Sequence, residues 1–288
     1  MLRKLRSEDY AQVSDLCSTI WEGHDYVPMV FESWVADPLF DIFGLFESDL
    51  LVAIVTLERL EGTSIGWLEG LRVREGYRNR GLATHIVGHA CDVAQEKGVS
   101  TLWYATGSMN RESMAVARKS GFRLVTEVGH LRVDCIPRTY PRPSPSVVPL
   151  VVDAGRLSDL IGEAPDVVDV ERIPFAWRFD LKTVDGLLRI GRDTQFNVVI
   201  SDEGRMTALY YQKYVMDGDR RRATYHVFAN DRSIFVDVMA RCMTDFGASG
   251  MNDAVFFVGP RLRDWSRGLG YIMEEYLDRS FLLFEREL

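Results

Sequence analysis

One stretch decides the fold: WLEGLRVREGYRNRGLAT, which runs from Trp67 to Thr84. It begins with residues typical of a strand, continues through a turn that contains two arginines, and opens a helix after Gly81. The first N–H groups of a helix have no intrahelical partner and lie at the positive end of its dipole, so they favour anions. Gly81 lets a ligand approach the backbone because it has no Cβ. Arg78 and Arg80 can donate charge-assisted hydrogen bonds to phosphate oxygens, so the stretch predicts a phosphate or pyrophosphate site.

The composition limits the class of protein. The chain has 288 residues, enough for two domains, and its 47% hydrophobic residues are ordinary for a globular protein. A formal net charge of −8 argues against nucleic acid as the main partner. The cysteines form no C-x-x-C pair, which indicates a reducing compartment. No apolar run approaches the roughly 20 residues of a membrane span. The residues from Met1 to Lys4 are not followed by the apolar region of a signal peptide. We expect a cytoplasmic protein without a membrane partner.

The hydrophobic pattern around the opening stretch predicts alternating helices and strands. The predicted elements are a helix after Ser7, a helix over Met29–Ala36, strands over Phe40–Phe46, Leu51–Glu58 and Ser64–Val73, a helix from Leu82 to Gly98, a strand over Thr101–Thr106, a helix over Asn110–Ser120 and a strand over Arg123–Val133. This order indicates an α/β (α+β) fold in which helices cover a mostly antiparallel sheet.

Two motifs carry a resemblance to a known family. Arg78–Ala83 matches the R/Q-x-x-G-x-G/A signature of the GCN5-related N-acetyltransferase (GNAT) superfamily, and Asn110 with Ser120–Phe122 resembles its second signature. The resemblance covers residues 1–135. It implies acetyl-CoA as cosubstrate, with the pyrophosphate on the Arg78–Thr84 loop and the pantetheine arm along two splayed strands. The implied cofactor contacts are Leu71, Arg72, Val73, Arg78, Asn79, Arg80, Gly81, Leu82, Ala83, Thr84 and Asn110.

The chemistry needs a general base, because attack on a thioester requires a neutral amine and most amines are protonated at pH 7. Glu69 precedes the loop and resembles the catalytic glutamate of many family members. Strand alternation places Glu69 and Arg72 on opposite faces, and burial next to Trp67 would raise the pKa of Glu69. The alternative is a structural ion pair of Glu69 with Arg72 or Arg74.

The general acid departs from the family pattern. In the family a tyrosine seven residues after the asparagine commonly protonates the departing thiolate, and Ala117 occupies that position here. Tyr104, Tyr26 or water could replace it, since a thiolate with a pKa of about 8.5 needs little help. We take Glu69 and Tyr104 as the candidate catalytic residues.

The segment between the first two helices is rich in polar and aromatic residues. Glu22, His24, Asp25 and Tyr26 could bind the substrate, or the segment could be a loop whose aromatics pack inward. Gly23–Pro28 and the tandem layout resemble histidine N-acetyltransferases, which implies transfer of the acetyl group in a ternary complex to a small amine such as a free amino acid. A protein or peptide amine is the second possibility, and Ala117 favours a third, a noncatalytic acyl-CoA sensor.

A metal site was considered at His85 and His89, which are spaced i, i+4 on the helix after the loop. No Glu lies between them and no third ligand is evident, so exposed or core histidines explain the pair better. We expect no metal.

The second half resembles a copy of the first. Five prolines in Cys135–Pro149 predict a linker, 136–149, between domains 1–135 and 150–288. A shift of 152 residues places Gly98 on Gly250, which predicts a duplicated fold. Asn230 and Ser233 replace Arg78 and Gly81, so we expect a degenerate copy that supports the first domain, completes its pocket or forms a homodimer contact. The alternative is an unrelated α/β domain.

Overall fold

The computed structural model describes residues 1–136, 140–217 and 220–288, without the side chains of Trp21, Glu22, Asp217 and Arg220. The chain forms two units. The first comprises Met1–Thr106, Asn110–Leu124 and Leu283–Leu288, and the second comprises Gly107–Met109 and Val125–Leu282. Of the helices within these described ranges, none is both long and apolar enough to span a membrane.

The first unit is built on a sheet in the order β1-β2-β3-β4-β5-β14. Its elements are β1 (Leu2–Lys4), α1 (Tyr10–Cys17), α2 (Val27–Ala36), β2 (Phe40–Glu47), β3 (Leu50–Arg59), β4 (Ile65–Val73), α3 (Leu82–Glu96), β5 (Thr101–Gly107), α4 (Arg111–Lys119), the start of β6 (Arg123–Val133) and the end of β14 (Ser280–Glu287). Neighbouring strands run antiparallel from β1 to β4, whereas β4 and β5 are parallel because α3 crosses between them. The elements predicted from the sequence in this half are confirmed.

The hairpin of β2 and β3 shows how local sequence sets the register. Its two turn residues, Ser48 and Asp49, both have positive φ values, 46° and 67°. This is the backbone of the type I′ turn, whose twist matches the twist of the strands. On this hairpin α1 and α2 bury an apolar cluster that includes Val13, Phe31 and Ile54. The core therefore lies directly beneath the loop between α1 and α2.

The second unit repeats this arrangement. Its elements are β6, β7 (Leu150–Val152), α5 (Ala154–Glu163), β8 (Arg172–Phe175), β9 (Arg178–Leu181), α6 (Val184–Gly191), β10 (Phe196–Ile200), β11 (Met206–Asp217), β12 (Arg220–Ala229), α7 (Arg232–Ser249), β13 (Asp253–Val258), α8 (Leu262–Ser266) and the start of β14. The strand order β7-β10-β11-β12-β13 matches β1-β2-β3-β4-β5, and α7 crosses between the parallel strands β12 and β13 as α3 does between β4 and β5. The predicted duplication is confirmed, and the hairpin β8–β9 is an addition to the second copy.

The units differ from the contiguous ranges 1–135 and 150–288. The strand β6 crosses from the first unit to the second after Leu124, and Leu283–Leu288 belongs to the first unit. The reason is that the end of β14 lies beside β5. There the indole of Trp103 donates to Glu285 at 3.0 Å, and the amide of Leu288 donates to the carbonyl of Ser100 at 3.0 Å.

The predicted linker is only partly described, because 137–139 lie outside the described residues. From Tyr140 to Val148 the structure assigns no helix or strand. This segment is nevertheless attached to α7. Arg241 donates to the carbonyl of Ser144 at 2.8 Å and Tyr140 packs against the second unit's core, so the prolines end regular structure without leaving the segment unattached.

A histidine is completely buried in the second unit. His226 has no exposed surface and stacks on Tyr211 with ring centroids 4.5 Å apart. Its Nε2 accepts a hydrogen bond from the amide of Ala176 at 2.7 Å. The proton of the neutral ring is therefore on Nδ1, which lies 3.2 Å from the carbonyl oxygen of Tyr211. A second proton would place an N–H against the N–H of Ala176. Burial lowers the pKa of His226, and likewise that of His130, to about 3.

We therefore expect acid to destabilise the fold. Both histidines take up a proton near pH 6.5 in the unfolded chain but only near pH 3 in the folded protein. The free energy of unfolding is therefore highest above pH 6.5 and decreases as the pH falls from 6.5 towards 3. Each contributes a slope of about 1.4 kcal/mol per pH unit to the free energy of unfolding. Urea unfolding between pH 7.5 and pH 4.5 measures the slope. His226→Gln should reduce it and the exposed-site variant His85→Gln should not; an equal slope in both variants contradicts the assignment.

Candidate functional site

The strands that carry the predicted site separate halfway along their length. β4 pairs with β5 only from Ile65 with Thr101 to Leu68 with Tyr104, although β4 continues to Val73. Beyond Leu68, the backbone groups of β4 are therefore not hydrogen-bonded to β5. The structure shows the parting of strands that the resemblance implied near Leu71–Val73.

A β-bulge at Gly70 causes the parting. In the pairing of β3 with β4, Thr56 lies opposite Glu69 and Ile54 lies opposite Arg72. One residue separates Ile54 from Thr56 in β3, whereas two residues separate Glu69 from Arg72 in β4. Gly70 has φ of +65°, a left-handed conformation that side chains disfavour, and a Cβ there would lie 3.3 Å from the hydroxyl of Thr56. Bulges of this kind bend a strand and increase its twist.

The bulge overturns the predicted alternation. Strict period 2 placed Glu69 and Arg72 on opposite faces, but their partners Thr56 and Ile54 are two residues apart and therefore share a face. Glu69 and Arg72 consequently lie on the same face of β4. Both contact the segment between α1 and α2, which brings the candidate base to the candidate substrate residues.

Tyr26 lies next to the candidate base. Its hydroxyl donates to Oε2 of Glu69 at 3.4 Å, and its ring packs edge-on against Trp34 with centroids 6.1 Å apart. Burial, followed by the negative charge of Glu69, raises the pKa of the Tyr26 hydroxyl. Tyr26 therefore stays protonated at neutral pH and keeps its hydrogen-bond donor directed at the half-buried Glu69.

Asp25 has a structural role in this site. Its carboxylate accepts two hydrogen bonds from Arg72, at 2.6 and 2.8 Å, and its side chain is 1% exposed. It also accepts from the amide of Val27 at 3.1 Å, at the first turn of α2. Paired charges of this bidentate kind are strong and geometrically specific. Asp25 therefore holds the substrate segment to β4, and both of its oxygens already have protein partners.

His24 is exposed, and the side chain of Glu22 lies outside the described residues. Arg74, the second arginine considered as a partner for Glu69, pairs with Asp15 at 2.8 Å and donates to the carbonyl of Leu51. Of the four predicted substrate residues, the structure brings Tyr26 to Glu69 and joins Asp25 to the neighbouring Arg72.

Tyr104 lies at the last paired position of β5. It is 6% exposed, and its hydroxyl is 2.7 Å from the hydroxyl of Ser113 on α4. Burial raises the pKa of Tyr104, in opposition to the hydrogen bond with Ser113. Ser113 and Ala117 are four residues apart on α4 and so share a face. The hydroxyl of Tyr104 thus reaches the helix face on which the family places its tyrosine.

Ser113 was not found by sequence reasoning. Asn110 caps α4, since its side-chain oxygen accepts from the amide of Ser113 at 3.0 Å. Asparagine is a preferred helix N-cap residue, so the sequence could have placed Ser113 on the first turn of the helix. It could not have shown that Tyr104 faces it. Asn110, predicted as a cofactor contact, has its carboxamide oxygen engaged in this cap.

The predicted anion loop has the expected shape. After a 3₁₀ turn over Glu75–Tyr77, Asn79 and Gly81 have positive φ values of 63° and 78°. Gly81 is the N-cap of α3, and no side chain caps this helix. A Cβ on Gly81 would meet no atom within 4 Å. The first amides of α3 are therefore open to a ligand, as the helix terminus alone predicts.

Two exposed arginines flank this helix terminus. Nε of Arg78 donates to the carbonyl of Val73 at 3.3 Å, and Arg80 donates to the carbonyl of Gly76 at 3.1 Å. Arg80 also stacks over the ring of Tyr77, 4.7 Å from its centroid. Open helix amides, an unobstructed glycine and two guanidinium groups form a donor set that fits a pyrophosphate.

The corresponding turn in the second unit is closed. Asp231 caps α7, and its carboxylate accepts from the amides of Ser233 and Ile234 at 2.8 and 2.9 Å. The protein's own anion therefore occupies the helix terminus. In addition, β12 stays paired with β13 from Arg222 to Val227, so these strands do not part as β4 and β5 do.

The two histidines of α3 have different surroundings. His89 packs edge-on against Phe43 with centroids 4.9 Å apart, and His85 is exposed. Across the described portions of the chain, no three His, Cys, Asp or Glu side chains lie together as a metal site.

Comparison with known families assigns the first half. Residues 3–122 match the model of the acetyltransferase (GNAT) family. This segment, which carries the parted strands and the anion loop, belongs to that family and is an acetyltransferase domain. A search of curated protein sequences gives no match.

Solved structures show the tandem fold over the whole chain. A tandem GNAT protein of the clavulanic acid biosynthesis pathway is 13% identical and covers 100% of this chain and 98% of its own, with a TM-score of 0.62. A GCN5-related N-acetyltransferase of Sphaerobacter thermophilus is 13% identical, with a TM-score of 0.63 over 100% and 95% of the two chains. A candidate acetyltransferase of Thermoplasma acidophilum is 18% identical over 100% of both chains, with a TM-score of 0.62. The likeness establishes the fold.

Proposed function

We propose that the protein transfers an acetyl group from acetyl-CoA to the amine of a small molecule such as a free amino acid, by direct transfer in a ternary complex. The observation that carries the proposal is the parting of β4 from β5 beside the uncapped N-terminus of α3. The open N-terminus of α3 offers hydrogen-bond donors for a pyrophosphate. The edges of β4 and β5 that are not paired with each other offer backbone partners for an amide-bearing arm. The segment's membership in the acetyltransferase family supports the same cosubstrate.

Acetyl-CoA would be held by backbone and arginine contacts. The amides of Leu82–Thr84 and the side chains of Arg78 and Arg80 would bind the pyrophosphate. Backbone groups of Leu71–Val73 would pair with the amides of the pantetheine arm in the manner of an added strand. When bound, acetyl-CoA supplies the thioester carbonyl.

Glu69 would act as the general base for the acceptor amine. The nitrogen lone pair attacks the carbonyl carbon, a C–N bond forms, and the proton released from nitrogen passes to Glu69 directly or through one water. Tyr26, which donates to Glu69 at 3.4 Å, would hold the carboxylate towards the acceptor. In the same step the C–S bond breaks and its electron pair remains on sulfur.

Tyr104 would stabilise the departing sulfur. Its hydroxyl stays protonated because burial raises its pKa, and Ser113 fixes its position at 2.7 Å. It can therefore donate a hydrogen bond to the thiolate, which takes its proton from Tyr104 or from solvent. This arrangement supplies a hydroxyl at the α4 face where Ala117 lacks one.

A small acceptor is supported by the segment between α1 and α2. Asp25 and Arg72 fix this segment through a buried bidentate pair. His24 and Tyr26 are the immediate neighbours of Asp25 in the sequence. The resemblance of Gly23–Pro28 to histidine N-acetyltransferases supports a free amino acid within the wider class of small amines.

A screen of acceptors tests the proposal. The full-length protein is mixed with acetyl-CoA and with free amino acids, polyamines or short peptides in turn, and release of the CoA thiol is followed. We expect turnover with at least one free amino acid or small amine and little with peptides. Turnover with peptides alone would identify a peptide acetyltransferase. Acetyl-CoA binding without turnover on any acceptor would identify the noncatalytic sensor that Ala117 favours.

A further inference from the structure

A cavity of about 600 Å³ lies within the second unit. It is lined by β6, by the loop after α5, by Lys182 between β9 and α6, and by the residues around the start of α8. Valine and proline side chains form its apolar walls, and five charged side chains reach it: Glu127, Asp169, Glu171, Lys182 and Arg263. This volume falls within the range of small-molecule sites, roughly 300–1,000 Å³.

Most of these charges already have partners. Arg263 lies 3.2 Å from Oε1 of Glu127 and donates to the hydroxyl of Ser280 at 2.9 Å. Asp169 lies 3.3 Å from Arg261. These groups form part of the wall and keep their charges compensated without a ligand.

Lys182 is the exception among the cations. Its ammonium donates to the carbonyl of Val168 at 3.3 Å, and within the described ranges no carboxylate oxygen lies within 4.0 Å of it. An ammonium carries three donors, so two remain available to the cavity. Burial lowers the pKa of Lys182, while the charge of Glu171 acts in the opposite direction. Glu171 is therefore close enough to influence Lys182 without being bound to it.

Glu171 is the corresponding open anion. Its side chain is 77% exposed, and its ion pair is with Arg172 at 4.0 Å. Exposed pairs of this length contribute little. Among the residues that the structure describes, the cavity thus presents one cation without a carboxylate partner, Lys182, and one weakly paired anion, Glu171.

A ligand with both signs of charge fits this arrangement. A carboxylate would take the two open donors of Lys182, and an ammonium would take the oxygens of Glu171. A polyanion would meet three lining carboxylates, and a simple amine would leave Lys182 uncompensated. We propose that this cavity binds a free α-amino acid, with its carboxylate on Lys182, its ammonium towards Glu171 and its side chain against the valine and proline wall.

The proposal is tested by calorimetry on the full-length protein without acetyl-CoA. The probes are L-leucine, L-glutamine and L-lysine, followed by 4-methylpentanoate and isopentylamine, which each keep one charge of leucine. We expect saturable binding of at least one amino acid, and binding at least about tenfold weaker for the single-charge probes, because each of them loses a set of charge-assisted hydrogen bonds.

Matched variants locate the site. Lys182→Met and Glu171→Gln should each weaken binding by about tenfold or more. Lys213→Met, which removes a lysine of the same unit paired with Asp193 at 2.7 Å, should leave it unchanged. An unchanged midpoint of urea unfolding shows that each variant is folded, and unaltered binding of CoA shows that the first unit is intact. The proposal is overturned if no amino acid binds at millimolar concentrations, or if neither Lys182→Met nor Glu171→Gln changes the affinity. Lys182 and Glu171 lie in the second unit, so binding that persists unchanged in both variants would belong to the acceptor site of the first unit. Failure of this proposal is therefore distinguishable from failure of the proposed function.

Discussion

Glu69→Gln is expected to lower kcat by about a hundredfold to ten-thousandfold, the usual contribution of a general base. Glutamine keeps the shape of glutamate and an oxygen that can accept from Tyr26, which lies 3.4 Å from Oε2. It cannot take a proton from the acceptor amine. Binding of CoA should be unaffected, because the pyrophosphate donors lie in the Arg78–Thr84 loop. Steady-state kinetics with the acceptor found in the screen, together with calorimetry of CoA binding, measures both effects.

Two comparisons make this result specific. Glu96→Gln removes a carboxylate at the last residue of α3 and should leave kcat unchanged. Tyr104→Phe should reduce kcat by about tenfold only, because a thiolate with a pKa of about 8.5 leaves with little assistance. If Glu69→Gln retains full turnover, Glu69 is not the base, and its place beside Tyr26 is structural.

Asp25→Ala is expected to lower the free energy of unfolding by about 3–5 kcal/mol. The change leaves the guanidinium of Arg72, whose side chain is 11% exposed, without its bidentate partner. Removing one member of a buried ion pair is far more destabilising than the loss of an exposed pair. The amide of Val27 also loses its acceptor at the start of α2. Urea unfolding followed by tryptophan fluorescence measures the loss, since Trp34, Trp67 and Trp103 lie in the first unit.

Asp15→Ala is the matched control for this prediction. Asp15 pairs with Arg74 at 2.8 Å, but its side chain is 63% exposed. Exposed pairs typically contribute about 0.2–1 kcal/mol, so the control should stay within that range. Similar losses in the two variants would show that burial of the Asp25–Arg72 pair has no special effect on stability.

Local sequence was sufficient for the elements of the first half and for the backbone shape of the predicted anion loop. Asn79 and Gly81 adopt the left-handed backbone that residues of their type tolerate, and the amides of the next turn are open in any helix. Glu69 was identified through the family resemblance. Asp25 was predicted to bind substrate, whereas the structure pairs it with Arg72 across 47 residues of sequence.

The bulge at Gly70 shows why the faces of β4 could not be read from the sequence. Period 2 is a property of a regular strand, and one additional residue shifts every later side chain to the other face. Gly70 permits the bulge, since its φ of +65° suits glycine. Whether a glycine in a strand forms a bulge depends on the pairing with β3, which involves residues that are distant in sequence.

The sequence by itself determined the order of strands and helices in the first half, the backbone shape of the predicted anion loop, and the loss of Arg78 and Gly81 from the second copy, because these follow from residue types at short spacing. The tertiary structure alone decided which side chains meet: Tyr26 with Glu69, Tyr104 with Ser113, and Trp103 with Glu285 from the end of the chain. It also placed Leu283–Leu288 in the first unit. Strand pairing depends on hydrogen bonds between segments of any separation, so no local pattern specifies it.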